Sequence, residues 1–306
     1  MVEPGEFSDL KSKLNFEWNS EHHLLEPFNY INSTQGKQFR LKLIDAFNSW
    51  LDVGDSDLAT ISTVIDKLHN ASLLIDDIED DSDMRRGLPV AHRIYGTPST
   101  INTANYIYFI ALDDLLSLND LNLIKIVNDE LMNLHRGQGM DLYYRDNHIC
   151  PTTQQYLEMV NNKTGGLLRL AVRLMSSKSS SNLDLIPLIN VIGVLFQIRD
   201  DYCNLFDSSY TKNKGFAEDI SEGKFSYPII HGIHADAQSN QIVNILKQRT
   251  KDHDLKLYLV NYLNTRTLSA QATITVINDL HQQALDEIDR LGGNDDLVRI
   301  LNDLKL

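Results

Sequence analysis

Apolar residues recur every three to four positions along almost the whole chain from Lys37 onward. Leu41, Ile44, Phe47 and Leu51 show this spacing, and it continues through 99–117, 120–134, 153–175, 184–206, 240–263 and 266–291. Such a period places one face of an α-helix against a core, and strand-like alternation is absent over any useful length. Only 15 glycines and 7 prolines interrupt the 306 residues. The pattern therefore predicts an all-α protein of about ten to twelve helices.

The segments between the helical runs are short, and none is long enough to be an interdomain linker. Residues 176–182 form a polar loop, and Gly292 and Gly293 end the last long helix. Residues 1–23 are weakly patterned, so we expect a mobile N-terminal segment there and one domain over 24–306. At this length several helices must be apolar nearly all round, which favours a large single-domain bundle.

The charge balance limits the classes of partner. Lysine and arginine total 28, aspartate and glutamate total 42, and the formal net charge is −14. A general nucleic-acid binder needs a net basic face, so that class is excluded, whereas a small anion needs only a few local cations. Cys150 and Cys203 are too few for a disulfide framework and lack the spacing of a zinc site.

The sequence also indicates a cellular location. The longest stretch without a charged residue, 94–112, contains Gly96, Pro98 and several threonines and asparagines, so no membrane span is expected. The first twenty residues contain Glu3, Glu6, Asp9 and Glu17 and lack the apolar core of a secretory signal, and these acids also argue against a mitochondrial presequence. We therefore expect a cytoplasmic protein.

The segment 76–83 reads DDIEDDSD and directly follows an apolar triplet. On a helix Asp76 and Asp80 lie four residues apart, so their carboxylates project to one side and repel each other, with Asp77 beside them. A divalent cation is the simplest compensation, and magnesium is typically held by one or two carboxylates plus substrate phosphates. The alternative is an ordinary solvated acidic end of a helix.

Two adjacent arginines, Arg85 and Arg86, follow the acidic segment. Guanidinium groups offer paired donors to phosphate oxygens, so carboxylates for a metal and arginines for phosphate together indicate a diphosphate site. Simple neutralisation of the acidic cluster is the competing interpretation.

A second acidic pair occurs in the segment FQIRDDYCN, again at the end of an apolar helical run. If this segment is helical, Gln197, Asp200 and Asn204 share one face and Asp201 lies beside them. Two such patches on two buried helices could face each other across one cavity.

Basic and polar residues surround both patches in the sequence. His69 lies two helical turns before Asp76, and two glycines after Thr164 predict a local kink in an otherwise helical segment. For any single lysine, a solvated surface position is the simpler interpretation. The set consists of Lys37, Arg40, His69, Lys163, Thr164, Lys214 and Lys224.

Taken together, these motifs resemble the trans-isoprenyl diphosphate synthase family. LLIDDIED with RRG resembles its first Asp-rich motif, FQIRDDYCN resembles its second, and GKQFR, LHNASLL, NKTGGL and GFAEDISEGKFSYPIIH resemble its other blocks in the same order. Within the family the chain is most similar to the eukaryotic geranylgeranyl diphosphate synthases, including the block HRGQGMDLYYRD. The resemblance implies an isoprenoid-synthase-type helical bundle with a deep central cavity, three magnesium ions, and a homodimer or an assembly of dimers.

The resemblance also implies an activity, namely head-to-tail condensation of isopentenyl diphosphate with dimethylallyl, geranyl or farnesyl diphosphate to give geranylgeranyl diphosphate. A farnesyl diphosphate synthase and a non-catalytic prenyl-binding subunit are the alternatives. A terpene cyclase is disfavoured because it has no need for a second diphosphate site. The departing diphosphate is the expected base. His69 is a weaker alternative, since a histidine between anions would tend to stay protonated.

The resemblance assigns roles to individual positions. The magnesium ligands are Asp76, Asp80 and Asp200, with Asp77 and Asp201 in support. The allylic diphosphate is held by Arg85, Lys163, Lys214 and Lys224, and isopentenyl diphosphate by Lys37, Arg40, His69 and Arg86. Thr164 and Gln197 lie along the reacting carbons. Asn204 replaces a third aspartate found in many relatives, which implies fewer charged ligands on that side.

Product length is expected to depend on the helix that carries Asp76. Ala71 and Ser72 are small, whereas farnesyl diphosphate synthases carry aromatic rings at this depth, so the chain should grow beyond fifteen carbons. The resemblance indicates that Tyr108, Phe109 and His135 form the floor of the tunnel. Ordinary core packing is the alternative for the two aromatic residues.

Overall fold

The computed structural model describes residues 20–34, 39–208 and 215–306, and Lys37 and Lys214 lie outside these ranges. Within them the chain forms sixteen helices and one short hairpin. The helices are α1 Glu21–Leu24, α2 Glu26–Asn32, α3 Phe39–Leu51, α4 Asp55–Glu79, α5 Ala91–Tyr95, α6 Thr97–Leu116, α7 Leu121–Asp146, α8 Thr153–Lys163, α9 Gly165–Lys178, α10 Ile186–Phe206, α11 Glu218–Glu222, α12 Tyr227–Ala235, α13 Gln241–Leu246, α14 His253–Thr265, α15 Ser269–Arg290 and α16 Asp295–Asn302. The hairpin pairs β1 Met84–Arg85 with β2 Leu88–Pro89 in antiparallel register.

The predicted all-α class is confirmed, but the predicted number of helices was too low. Periodicity identified the long helices and missed the short ones in the connections. The run 240–263 is two helices, because Arg249 has a φ of 44° and the Asp252 side chain accepts from the first amides of α14. A left-handed residue followed by a side-chain N-cap separates one helix from the next.

The arginine pair lies on the hairpin rather than at the end of a helix. Arg86 and Gly87 form its two-residue turn, with φ of 54° and 79°. Both central residues of such a turn need positive φ, which Gly87 adopts freely and Arg86 adopts at a conformational cost. Arg85 belongs to the strand and Arg86 to the turn, so the two side chains leave the backbone in different directions.

Helix α4 carries the first acidic segment at its C-terminal end. It packs against α6 and α9, while α7 packs against α8 and α9, and α10 against α9 and α15. Buried apolar residues between α3 and α16 form one continuous cluster, and a smaller second cluster joins α2, α4, α5 and α6. This arrangement holds the acidic end of α4 beside α7 and the α8–α9 junction. No helix in the described ranges has both the length and the apolar character to cross a membrane.

The start of the described chain is helical. Helix α1 covers residues 21–24, and the carboxylate of Glu21 accepts a hydrogen bond from Tyr106 of α6. The backbone oxygen of Leu24 accepts from Thr103 at 2.6 Å. The part of the expected mobile segment that the structure describes is therefore attached to α6.

Helix α7 approaches the end of α8 at a glycine. A Cβ added to Gly137 would lie 2.3 Å from the backbone nitrogen of Lys163 and 2.8 Å from the carbonyl carbon of Asn162. Backbone atoms of a packed helix cannot move aside cheaply. Gly137 therefore sets the spacing between α7 and the last residues of α8.

Replacement of this glycine provides a test with an internal control. Gly137→Ala should lower the free energy of unfolding by about 1–3 kcal/mol, because the added methyl overpacks the contact. Gly139→Ala, on the same helix with nothing within 4 Å of an added Cβ, should gain about 0.5–1 kcal/mol from its lower unfolded-state entropy. Denaturant unfolding followed by circular dichroism measures both, and equal effects would contradict the close contact.

Candidate active site

The acidic end of α4 has the geometry predicted from the sequence. The backbone amide of Asp80 donates to the carbonyl of Asp76 at 2.9 Å, so helical geometry continues through both residues. Arg85 Nη2 lies 3.1 Å from Asp76 Oδ2, and Arg145 Nη1 lies 2.6 Å from Asp80 Oδ1. Burial and the carboxylate of Asp76 nevertheless raise the pKa of Asp80 to about 8. The charged form of this carboxylate pair is therefore still disfavoured, and an added cation would stabilise it.

Arg85 neutralises acids in this structure. Its Nε donates to Asp77 Oδ1 at 2.6 Å, and Asp77 itself is buried. Burial alone would lower the pKa of Arg85, but the carboxylates of Asp77 and Asp76 outweigh it and raise that pKa. The neutralisation considered as an alternative is therefore real for Arg85. Arg86 instead donates to the carbonyl oxygens of Thr34 and Ile31, at 2.6 and 3.3 Å.

Lys163 links α4 to α7. Its ammonium group donates to Asp141 Oδ2 at 2.6 Å and lies 3.4 Å from Asp76 Oδ1. Burial would lower the pKa of Lys163, but the carboxylates of Asp141, Asp76 and Asp80 raise it above the ordinary value. The kink predicted from the two glycines is present: α8 ends at Lys163, Thr164 stands between the helices, and α9 begins at Gly165.

The second acidic patch is tied to this break by a chain of hydrogen bonds. Thr164 Oγ1 donates to Gln197 Oε1 at 2.6 Å, and Gln197 Nε2 donates to Asp201 Oδ1 at 2.8 Å. The other oxygen of Asp201 accepts from the Tyr156 hydroxyl at 2.6 Å and the Tyr227 amide at 2.8 Å. Asp201 is fully buried, whereas its neighbour Asp200 is half-buried on α10.

Lys224 completes the connection between the two patches. Its ammonium group lies 3.5 Å from Asp201 Oδ1 and 3.6 Å from Asp219 Oδ1. Burial opposes its charge, but Asp219, Asp201 and Asp141 raise the pKa of Lys224 well above the ordinary value. Asp141, between Lys163 and Lys224, has a lowered pKa because these two cations outweigh its burial. The acids of α4 and α10 therefore belong to one charge network.

A second cluster is cationic. Arg40 Nη1 donates to His69 Nε2 at 2.9 Å, and burial together with Arg86 lowers the pKa of Arg40 to about 10. Among the described residues, the buried Nε of Arg40 has no hydrogen-bond partner. Burial, Arg40, Arg86 and Arg85 lower the pKa of His69 well below its ordinary value, so the ring is neutral. The charged side chains that act on the pKa of His69 are therefore arginines, and the position of His69 between bound anions stays a prediction.

The chain-length residues divide between the interior and the surface. Ala71 is fully buried among Ala104 and Ile107, whereas Ser72 shares the face of Asp76. Tyr108 packs against the same cluster, and burial with Glu79 and Asp76 raises its pKa to about 12.

Two of the expected floor residues lie on the outside of this chain. The Tyr108 and His135 ring centroids are 6.2 Å apart, although His135 is exposed. Phe109 is 69% exposed on the outer face of α6, so it does not line the interior. Adjacent residues on a helix point about 100° apart, and Tyr108 and Phe109 therefore cannot share one face.

Several residues of the site were missed by the sequence analysis. Asp141 and Arg145 of α7 pair with Lys163 and Asp80, and Asp219 pairs with Lys224. The available signal for α7 was Gly137, since a glycine inside a helix often marks close approach of another backbone.

The donor set fits magnesium. Asp76 and Asp80 offer carboxylate oxygens from one helical face, and Asp200 offers another from α10. Within the ranges that the structure describes, no three acidic, histidine or cysteine side chains converge into a metal site. Magnesium does not require such a cage, because it is typically held by one or two carboxylates together with substrate phosphates and water.

Comparison with known proteins agrees with this site. Residues 21–263 match the family model described as polyprenyl synthetase. A geranylgeranyl pyrophosphate synthase of Mucor circinelloides f. lusitanicus is 49% identical over 290 residues, covering 95% of each chain. Geranylgeranyl pyrophosphate synthase 1 of Zymoseptoria tritici is 50% identical, over 96% of this chain and 90% of its own. The corresponding enzyme of Dictyostelium discoideum is 46% identical, over 96% and 98%.

The chain belongs to the polyprenyl synthetase family. In this molecule the matched residues 21–263 include most of the helical bundle, the two acidic patches at helix ends and the adjacent cationic cluster.

The different surroundings of the two arginines predict different kinetic effects. If Arg85 and Arg86 bind the two substrates as the resemblance implies, Arg85→Ala should raise the apparent KM for the allylic diphosphate about tenfold or more, because a charge-assisted contact of roughly 1.5–3 kcal/mol with that diphosphate is lost. Arg86→Ala should act mainly on the KM for isopentenyl diphosphate, because it removes a cation from the cluster with Arg40 and His69. Steady-state titration of each substrate measures both, and equal effects on both substrates would contradict separate sites.

Proposed function

We propose that this protein is a geranylgeranyl diphosphate synthase, a trans-prenyltransferase that condenses isopentenyl diphosphate with dimethylallyl, geranyl or farnesyl diphosphate. The observation that carries the proposal is two adjacent anion sites of different chemistry. One combines Asp76 and Asp80 with cations, and the other consists of Arg40, His69 and Arg86. Two diphosphates, only one of which leaves, require such a pair. The names of the relatives support the same product.

The acidic site is assigned to the allylic diphosphate. Asp76, Asp80 and Asp200 would hold magnesium, with three ions expected per site, and Asp77 and Asp201 support them through their contacts with Arg85 and Gln197. Magnesium held there would supply positive charge to the diphosphate oxygens and so make the diphosphate a better leaving group. Lys163, Arg85 and Lys224 contribute positive charge around the same oxygens, and Lys214 is assigned there by resemblance.

The reaction breaks the bond between the allylic carbon and its diphosphate oxygen and leaves an allylic cation. The double bond of isopentenyl diphosphate attacks this cation, and a proton is then lost. Thr164 and Gln197, hydrogen-bonded to each other at 2.6 Å, are placed along the reacting carbons, where fixed dipoles stabilise developing positive charge. Asp201 orients the Gln197 amide through a 2.8 Å hydrogen bond.

The second site is assigned to isopentenyl diphosphate. The unpartnered Nε of Arg40, the neighbouring Arg86 and the neutral ring of His69 offer donors to its phosphate oxygens. Lys37 is placed there by resemblance. Because His69 Nε2 already accepts from Arg40, the departing diphosphate is the better acceptor for the proton.

The proposal is tested by product formation. The protein is incubated with magnesium, labelled isopentenyl diphosphate and each allylic primer, and chromatography should give a twenty-carbon diphosphate as the main product. Asp76→Asn and Asp80→Asn, matched for size, should fold normally and lower turnover by about a thousandfold or more, because charge stabilisation in the transition state is lost.

The alternatives give different results in the same assay. A fifteen-carbon product would indicate a farnesyl diphosphate synthase, and prenyl diphosphate binding without turnover would indicate a non-catalytic subunit. Near-normal turnover in both aspartate variants would contradict the metal assignment.

The length of the product depends on the face of α4 that Asp76 shares. Ser72→Phe should shift the main product to fifteen carbons. A ring on this face would block the path of the growing prenyl chain, and a close-packed wall leaves no room to pass it. Ala71→Phe should give the same shift by displacing Tyr108, its neighbour in the cluster, but with lower stability by about 1–3 kcal/mol from overpacking. Chromatography and thermal unfolding measure these effects, and a twenty-carbon product from Ser72→Phe would contradict this path for the chain.

We also propose a homodimer of one catalytic domain that covers residues 24–306. Large apolar side chains are exposed on the outer faces of α6 and α7, and a second copy would cover them. They are Ile101, Phe109, Leu116, Met132 and Tyr143. Sedimentation velocity distinguishes a dimer from a larger assembly of dimers. A cytoplasmic location is proposed because only two cysteines occur in the 306 residues, too few for the disulfide framework of a secreted protein.

A further inference from the structure

A buried ion pair lies behind the break between α8 and α9. Arg169 of α9 and Glu130 of α7 are 7% and 3% exposed. Arg169 Nη2 lies 2.8 Å from Glu130 Oε2, and its Nε lies 3.1 and 3.2 Å from the two carboxylate oxygens. Such a pairing fixes the plane of a guanidinium group, so its remaining nitrogen points in one direction.

The remaining nitrogen of Arg169 points to the break. Nη1 donates to the backbone oxygen of Asn161, to Asn161 Oδ1 and to Asn190 Oδ1, each at 3.0 Å. In a continuous helix the carbonyl of Asn161 would accept from the amide of Gly165. Arg169 therefore supplies a donor to a carbonyl at the point where the helix is interrupted, and Asn190 ties the same group to α10.

Glycines make room for this contact. A Cβ on Gly165 would lie 2.9 Å from Asn161 Oδ1 and 3.4 Å from Arg169 Nη1. A Cβ on Gly193 of α10 would lie 3.1 Å from the Cα of Gly165. The break is thus held between the Arg169 side chain and the backbone of α10.

Two residues of the proposed active site stand at this break. Lys163 is the last residue of α8 and contacts Asp141 and Asp76, and Thr164 joins the helices and donates to Gln197. We propose that Arg169, oriented by Glu130, is a positioning residue that fixes this break and so places Lys163 and Thr164 for catalysis. The inference rests on the proposed function, because it assigns the allylic diphosphate to this end of the site.

Arg169→Lys is the test variant, because it keeps the charge opposite Glu130 and loses the planar group that reaches Asn161. Arg173→Lys is the matched control. Arg173 Nη1 also contacts Glu130, at 2.7 Å, from the same helix and one turn further from the break. Both variants are compared with the wild type by circular dichroism and thermal unfolding before any other measurement.

The kinetic readout separates positioning from general loss of structure. Arg169→Lys should raise the KM for the allylic diphosphate and lower kcat, each by about tenfold or more, since small misplacements at the reacting atoms have large effects on rate. The KM of Arg169→Lys for isopentenyl diphosphate should stay within about twofold, because the change does not touch Arg40 or His69. Every kinetic constant of Arg173→Lys should also stay within about twofold, because Arg173 lies one turn further from the break. Equal changes in both variants, or in both substrates, would overturn the inference.

Two readouts do not depend on turnover. Hydrogen exchange in peptides covering 160–168 should become faster in Arg169→Lys and remain unchanged in Arg173→Lys. Calorimetric titration with inorganic pyrophosphate and magnesium should show affinity about tenfold weaker in Arg169→Lys only. Unchanged exchange or unchanged pyrophosphate affinity would overturn the inference.

These readouts also separate this inference from the proposed function. A wild-type protein that forms no prenyl product would refute the proposed function, and the exchange and pyrophosphate results would still decide the role of Arg169. If Arg169→Lys does not fold, Asn161→Ala replaces it, because this variant removes one acceptor at the break and leaves the Glu130 pair intact. It should change the same quantities in the same direction by about threefold, and no change would overturn the inference.

Discussion

The arrangement of the site depends on the need to balance several buried carboxylates at the end of one helix. Asp76, Asp77 and Asp80 occupy little more than one turn. Like charges so close repel each other and destabilise the end of the helix unless cations balance them. Cations from three other elements contact these carboxylates, namely from the hairpin, α7 and the α8–α9 junction. Arg145 and Lys163 are themselves held by further ion pairs, with Asp146 and Asp141. The positions of the hairpin, α7 and α9 around α4 therefore follow from charge as much as from apolar packing.

The sequence was sufficient for the fold class and for the relative positions of the acidic residues on α4. The 3.6-residue period identified the long helices, because burial of one face leaves a local pattern. It also placed Asp76 and Asp80 on one side, since both lie within a single helix. The same reasoning could not find the hairpin, because two paired residues per strand have no period. It could not find the break in 240–263 either, because the left-handed Arg249 carries no compositional signal.

The sequence reasoning also did not predict contacts between helices that are far apart along the chain. The pairing of Arg145 with Asp80 and of Asp141 with Lys163 joins residues that no local pattern connects. For His69, spacing along the helix pointed to the acids of α4, whereas the resemblance grouped it with Arg40 and Arg86, and the structure brings these two arginines around the ring. The environment of a titratable group is set by tertiary neighbours, and a single sequence does not contain them.

The two proposed anion sites differ in how far their positive charge is already balanced, so they should respond differently to dissolved salt. Arg85 and Lys163 already contact protein carboxylates, so ligand binding at the acidic site exchanges one set of ionic contacts for another. Burial and Arg86 lower the pKa of Arg40, and Asp66 opposes them only in part, so this cluster keeps more uncompensated positive charge. Dissolved salt screens the long-range attraction of an anion, which a cluster with net positive charge exerts more strongly than an internally balanced one. On the proposed assignment, ionic strength should therefore slow the capture of isopentenyl diphosphate more than that of the allylic partner, so the balance between the two substrates is sensitive to salt.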